Sequence, residues 1–559
     1  MPHSQRLPIA ILFLTTVVLS LIPFFKVGFT TSDDVQYFIT AQQNWQYWMM
    51  DHHYFALGQG RFFYLITKYF YYVPYLADNF FVTKTIQYIT LLSCYLLFAY
   101  IVYRILRSQA LGLLTLLMLV LNTCINKSGN FIAVTAYPFF FTFSFLVFLL
   151  GVLQLVNYYQ RGGRWRPLWA SLLFFAAALF YENYVIFILL VVLYVAVRHL
   201  RRDGWSQMWG EKNFWRETTP IALSAIIYVI IYVTYRNWVA ANFPETVFYD
   251  GTQLTGNSGF SLEKFFRIVT RCTLVALPGQ NYFLSKDIVA SNALLTTDFH
   301  NTPLFLLTHA SAVVIANAVI QSLLFVLLIR QVRLNSVSYR KLLTVAACAL
   351  LFAFSANILI AVTLKYQEWS TWLWGYVTSF YSFFGIALTL AVIVTLTLKL
   401  VYNGIWNKIL QGFWRLTIFF IAVIIGFSNE SLSREWQRSQ ARFVAIDEMG
   451  KEGAFDILPD EALLYTEGLH TTSPTAYFIC KGTDDIEDYI TLRSGRKFQY
   501  AIDSAQMAAK RGQYAADKIY TIDAKEIGKT SSILVNITSS GKELYSKRCC
   551  PFECRPQKR

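Results

Sequence analysis

Two carboxylates stand side by side in "TSDDVQYF" (31–38), almost directly after an uncharged run of 19 residues, Leu7 to Phe25. Adjacent aspartates repel each other, and the edge of a bilayer already disfavours negative charge, so Asp33 and Asp34 need a reason to be there. The residues after them are not a solvated loop: "VQYFITAQQNWQYWMM" (35–50) is aromatic and amphipathic, suited to lying in a membrane interface. "GQGRFFYLITKYF" (58–70) adds Arg61 and Lys68, and "LKYQEWSTWLWGY" (364–376) adds Lys365 with Tyr366. "LFYENYVIF" (179–187) places Glu182 between two apolar runs, flanked by Tyr181 and Asn183, groups that a sugar or polar site would need. Carboxylates and cations at a membrane surface suit transfer of a sugar from a lipid phosphate to a hydroxyl. The phosphate departs without a proton, whereas the hydroxyl must lose one, so one general base is required. Charge developing on the phosphate needs cations or a metal. Neighbours on a helix point about 100° apart, so the two aspartates need not share a task. In that chemistry one is expected to deprotonate the acceptor, and the other to hold a divalent cation such as Mg²⁺ or Mn²⁺ or to orient Arg61; the residues leave open which is which and whether a metal is used.

The elements that must position these groups are membrane spans. The chain has 559 residues, 55% hydrophobic, 17% aromatic and only 14% charged, against roughly a quarter charged in soluble domains. Eleven apolar runs are expected to span: 7–25, 84–103, 109–124, 132–157, 168–181, 183–198, 219–238, 304–329, 342–363, 375–398 and 411–428. The pair 168–198 is short in each half, as a tight hairpin or a partly re-entrant segment would be. The first run is long for a signal sequence and no small-residue cleavage pattern follows it, so it reads as a retained helix. The net charge of +15 sits between apolar runs rather than on one patch, which excludes a nucleic-acid surface. Arg6, Arg104, Arg107, "RGGRWR" (161–166), "RHLRR" (198–202), "RQVRLNSVSYRK" (330–341), Lys399, Lys408 and Arg415 all fall on one side if the N-terminus is cytoplasmic. The external side then receives 26–83, 239–303, 364–374 and everything after 428. Residues 1–428 read as the membrane module and 429–559, where charges become frequent, as a small external α/β domain. Short β-like runs there ("ALLYTEG", "TAYFICKG", "SSILVNIT") accompany a helix near 500–515. "FYDGTQLTGNSGF" (248–260) reads as a turn at Asp250, "GTDDIED" (482–488) as a solvated acidic face, and "RPQKR" as a frayed tail. Cys94, Cys124, Cys272 and Cys348 lie in or near spans as small apolar residues. Cys480, Cys549, Cys550 and Cys554 fall in the external domain, where one or two disulfides are open to them, with no readable connectivity.

The Asp-Asp pair after the first span, "GQGRF" before the second, the mid-chain "YEN" hairpin and "KYQ…WGY…FFG" entering a late span together resemble the polytopic GT-C glycosyltransferases. Within that class the motifs look most like bacterial and phage glucosyltransferases that modify O-antigen and convert serotype. The resemblance covers roughly residues 1–430. It implies a mainly α, GT-C-like fold in a bacterial inner membrane, with the site on the periplasmic side. It implies transfer of a sugar, glucose, from a polyprenyl-phosphate donor to lipopolysaccharide O-antigen. It places the base role on Asp33 and Asp34 and the donor-phosphate role on Lys365 with Tyr366, extending to Arg61. Glu182, Tyr181 and Asn183 are the expected substrate contacts. The domain after 428 matches no motif of that class, so the acceptor stays open between O-antigen, lipid A and protein. A lipid-linked-sugar flippase is the competing class; it would show mid-span polar residues and repeat symmetry.

Overall fold

The structure, a computed structural model, describes residues 3–125, 134–246, 253, 260–279, 302–333, 337–371, 373, 375–401, 404–471, 485–527, 532–550 and 553–555. The chain is mainly α-helical, with a small mixed sheet at its C-terminal end. Among the described residues, eight helices are long and apolar enough to cross a membrane: Leu7–Phe25, Phe80–Leu106, Phe140–Arg161, Tyr184–Arg202, Lys212–Asn242, Ala312–Gln331, Ser379–Leu400 and Ile405–Arg434. Gln109–Leu121, Arg166–Phe180 and Tyr339–Ser355 are apolar but shorter. Each of the eleven apolar runs therefore holds a helix, but three lack the length of a full crossing. The run 342–363 breaks after Ser355, and the run 304–329 divides into Thr302–His309 and Ala312–Arg333. The 168–198 pair is a hairpin of two helices joined by a turn at 181–183.

Helix ends follow local chemistry. Asn79 caps the helix Phe80–Leu106 by accepting from Phe81 N (2.9 Å), and Ser108 caps the next by accepting from Leu111 N (3.3 Å). Arg107, left-handed at φ 54°, makes the sharp turn between those two helices. In the core, Gly385 lets its helix lie directly on the helix Tyr339–Ser355: a Cβ there would meet Ala349 O and Ala353 Cβ. Close approach over small residues is how lipid-embedded helices gain packing energy where the hydrophobic effect gives little.

The last helix, Ile405–Lys451, runs 47 residues without interruption from the apolar bundle into the C-terminal region, crossing position 428. Against its far end lies the sheet: β1 (Leu463–Tyr465), β2 (Gln499–Ala501), β3 (Ile519–Ile527), β4 (Ser532–Ser539), β5 (Lys542–Cys550) and β6 (Glu553–Arg555), in the order β2-β1-β3-β4-β5-β6. β1 is parallel to both neighbours; the remaining pairs are antiparallel. Buried Lys547 on β5 ties the sheet to the helix through Glu452 and Glu448, and Tyr545 donates to Glu452 (2.7 Å). The helix Ser504–Arg511 falls where one was expected; "TAYFICKG", most of 248–260 and the end of "RPQKR" lie outside the described residues.

The acidic stretch at 485–488 is a correction to the sequence reading. Asp485 and Glu487 are buried, not solvated. Glu487 accepts from Thr466 Oγ1 (2.5 Å) and pairs with His470 (3.0 Å), while Asp485 accepts from Gln36 of the first aspartate-bearing helix. Charge density misled there because packed partners lie far away in sequence. The four cysteines of the bundle are free thiols, three of them buried or half-buried.

Candidate functional site

Asp33 and Asp34 occupy the first turn of the helix Ser32–Ala41, capped by Thr31, which accepts from Asp34 N (3.0 Å). Negative side chains are favoured at that end of a helix dipole. The helical offset then separates them: Asp34 is buried and Asp33 exposed. Asp34 Oδ2 accepts from Thr30 N (3.2 Å) and Thr30 Oγ1 (2.9 Å); Oδ1 accepts from Tyr137 N (3.0 Å) and Tyr75 OH (3.3 Å). Burial raises its carboxyl above the usual range, against the opposing pull of Lys84, Tyr137 and Thr30. Asp34 does not meet Arg61; its four donors are backbone and hydroxyl groups of its own surroundings.

Tyr137 joins the two aspartates. Its backbone N–H goes to Asp34 and its phenol donates to Asp33 Oδ2 at 2.7 Å. The segment that presents it is held in an unfavourable shape, with Tyr137 at φ 48° and Phe139 at φ 87°, conformations bulky residues rarely adopt. Buried side chains hold that shape: Lys84 donates to Thr135 O (3.4 Å) and Gln87 to Val134 O (3.1 Å). Burial, and then the Asp33 charge, push the Tyr137 phenol well above its usual range, so it stays a donor. Nothing in "AVTAYPFF" (133–140) marks this tyrosine among the 35 in the chain; Pro138 is the one local sign of a special backbone.

Two ion pairs form among the other charged residues singled out in the sequence. Arg61 and Glu182, 121 residues apart, form a charge pair, and Arg61 also donates to Gln59 Oε1 and Tyr64 OH (both 2.8 Å). Glu182 Oε2 and Arg61 Nε are buried and have no hydrogen-bond partner among the described residues. The Glu182 charge acts on Tyr64, Tyr181, Tyr228 and Tyr232, so the pair sits in a tyrosine-lined setting. Lys68, 1% exposed, pairs with Asp51 (2.5 Å) and lies 3.2 Å from the Phe55 ring centre. Burial lowers its ammonium to about 8, against the pull of Asp51 and Asp33. A lysine so placed is not reaching for lipid headgroups. Tyr72 donates to the same Asp51, and buried His52 packs against Tyr69 and Tyr72. Asp51 was hidden within the stretch that reads as an interface segment.

Tyr366 is buried, its ring 4.7 Å from Tyr376 and 5.6 Å from Trp369. Lys365 Nζ lies over the Trp369 ring at 4.7 Å. The Arg61 charge acts on Tyr366 and Tyr376, and the Asp33 charge acts on Tyr376, Tyr37 and Lys68. Tyr376 thus feels both the Asp33 and the Arg61 charge. Asn183 is fully buried with neither amide atom bonded among the described residues, and Tyr181 packs edge-on to Phe141. Among the described residues no three His, Cys, Asp or Glu side chains converge as a metal-holding group, and Asp34, turned inward, brings no second carboxylate to Asp33. The described residues around Asp33 do not fit a protein-built divalent-cation site.

No protein-family model matches the chain, and no curated protein does. Solved structures that share a likeness with it include these two. ArnT from Cupriavidus metallidurans in the apo state is 10% identical, with 97% of each chain covered and a TM-score of 0.37. The Archaeoglobus fulgidus oligosaccharyltransferase in the apo form is 10% identical, covering 94% of this chain and 70% of that one, with a TM-score of 0.38. A likeness this distant carries no argument about chemistry.

Proposed function

We propose that this chain is a membrane glycosyltransferase of the GT-C type that moves a sugar from a polyprenyl-phosphate donor to an acceptor hydroxyl. The observation that carries the reading is the division of labour in the aspartate pair. Asp34 is spent on four donors, while Asp33 faces outward with one oxygen held by the Tyr137 phenol. A carboxylate held on one oxygen and open on the other is oriented to take a proton from a hydroxyl, the one proton transfer that this chemistry requires. Asp33 is the base, Tyr137 orients it, and Asp34 builds the backbone that carries Tyr137.

Arg61, Lys365 and Tyr366 are the donor-phosphate side of the proposal. Arg61 offers a planar fork suited to two phosphate oxygens, and Glu182 shares that fork before the donor does. Tyr181, Asn183 and Glu182 complete the sugar side with a ring, an amide and an acid. As the sugar leaves, negative charge grows on the phosphate and the cations hold it more strongly, which lowers the barrier. The sidedness of the basic loops supports a cytoplasmic N-terminus and a site at the outer face of an inner membrane. The motif resemblance favours glucose as the sugar and lipopolysaccharide O-antigen as the acceptor.

The test is the mass and linkage composition of surface polysaccharide from cells with and without the protein. An added hexose on the O-antigen repeat, lost with Asp33→Asn, is the expected result. Unchanged polysaccharide together with a hexose on lipid A or protein would move the acceptor; no added sugar anywhere would overturn the transferase reading.

A further inference from the structure

We propose that the helix Asp485–Ser494 of the C-terminal region is a positioning clamp for the Asp33 helix, with Arg493 as its anchor. The inference rests on the transferase reading for its consequence in turnover, and on geometry alone for the clamp. One guanidinium joins three parts of the chain. Arg493 grips both oxygens of Asp78 (2.9 and 2.7 Å), next to the start of the helix Phe80–Leu106. It pairs with Asp447 (2.7 Å) on the long helix. It also lies 5.1 Å from the ring centre of Phe38, on the Asp33 helix itself. A bidentate pair of this kind fixes orientation as well as distance.

The clamp closes from the other face through Gln36, three residues after Asp33. It donates to Asp485 (2.5 Å) and Asp488 (3.3 Å), the acids that read as solvated in the sequence. Between these polar ties Tyr489 packs on Phe38 (5.6 Å), Phe29 (6.3 Å) and Phe443 (5.0 Å). Just before the aspartates, Phe29 N donates to Gln440 Oε1 (3.1 Å), and a Cβ on Gly28 would collide with that same amide. The Ser32–Ala41 helix is only 10 residues long, too short to hold itself in water, so tertiary contacts set its position. Some of those contacts come from Tyr75 and Tyr137, and others from a region more than 400 residues away. The C-terminal region therefore shares with Tyr75 and Tyr137 in setting where the base stands.

The test uses the full-length protein in lipid nanodiscs, with Gln36→Glu, Gln36→Lys, Arg493→Ala and Arg493→Lys. Gln36→Glu faces two carboxylates with a third; Gln36→Lys offers them a cation. Amide exchange across 28–41 is the activity-independent reading. We expect Gln36→Glu and Arg493→Ala to speed exchange there about tenfold, the size of one or two lost polar contacts, with the spans unaffected. Gln36→Lys keeps wild-type exchange, and Arg493→Lys falls between. In transfer assays the same two damaging variants lower kcat with donor KM little changed, because the base is displaced and the phosphate side is not. Wild-type exchange at 28–41 in both Gln36→Glu and Arg493→Ala overturns the clamp. Faster exchange in a protein that transfers no sugar keeps the clamp and overturns the transferase reading.

Discussion

Asp33→Asn and Asp34→Asn are the same chemical change at adjacent positions, and the proposed division of labour predicts opposite outcomes. At Asp34 each carboxylate oxygen accepts two donors, one of them a backbone N–H: Thr30 N on Oδ2 and Tyr137 N on Oδ1. An amide has only one accepting end. Whichever way the introduced amide turns, its NH₂ faces a hydroxyl that can rotate and a backbone N–H that cannot. One buried N–H is stranded, which costs about 1–3 kcal/mol, and the surviving bonds lose the extra strength of a charged acceptor. Buried Lys84 also loses its nearby counter-charge. A total of roughly 3 kcal/mol follows, well beyond an ordinary surface change. At Asp33 the Tyr137 phenol still finds an amide oxygen, so stability stays within about 0.5 kcal/mol, while turnover falls by about 10²–10⁴ through loss of the base. Thermal unfolding in detergent and transfer from synthetic polyprenyl-phosphate sugar measure the two axes. If Asp34→Asn unfolds like wild type and is as inactive as Asp33→Asn, Asp34 takes part in the chemistry and the division of labour is wrong.

Tyr137→Phe should keep its fold and the Asp34 bond through the backbone, yet lose turnover by roughly tenfold or more, because a freely rotating Asp33 is a poorly placed base; unchanged kcat would strip Tyr137 of its orienting role. Arg61→Lys and Lys365→Met should each impair transfer at saturating donor with insertion unchanged, since Lys lacks the planar fork and Met the charge; normal turnover in both would move the phosphate elsewhere. His52 is held neutral chiefly by burial, which lowers it from 6.5 to about 4. Between those values the unfolded chain binds a proton that the folded one refuses, so stability falls as pH drops through that window. Melting curves from pH 7 to pH 4 should fall less steeply in His52→Phe, and parallel curves would contradict the burial argument.

The helical class and eight of the eleven spans were legible because apolar length is a local pattern, and the aspartate pair stood out as two acids beside an interface segment. Lys68 was visible as a cation, but its partner Asp51 was hidden among aromatic neighbours in "YWMMDHHYF" (47–55). The Arg61–Glu182 pair joins two segments singled out separately, and only the packed bundle brings them together. Tyr137 acts through a left-handed backbone and two distant acids, neither of which a residue type reveals. The acids at 485–488 misled for the same reason: density of charge is local, and the groups that satisfy it are not.

We propose that Asp33 takes the acceptor proton as a sugar leaves a lipid phosphate. Purified wild-type protein and Asp33→Asn, each given a synthetic polyprenyl-phosphate glucose and an O-polysaccharide acceptor, test it directly. We predict sugar transfer by the wild type, and an Asp33→Asn protein that binds donor with normal affinity but turns over about 10²–10⁴ times more slowly. Equal turnover by the two proteins, or donor binding without transfer by the wild type, would contradict it.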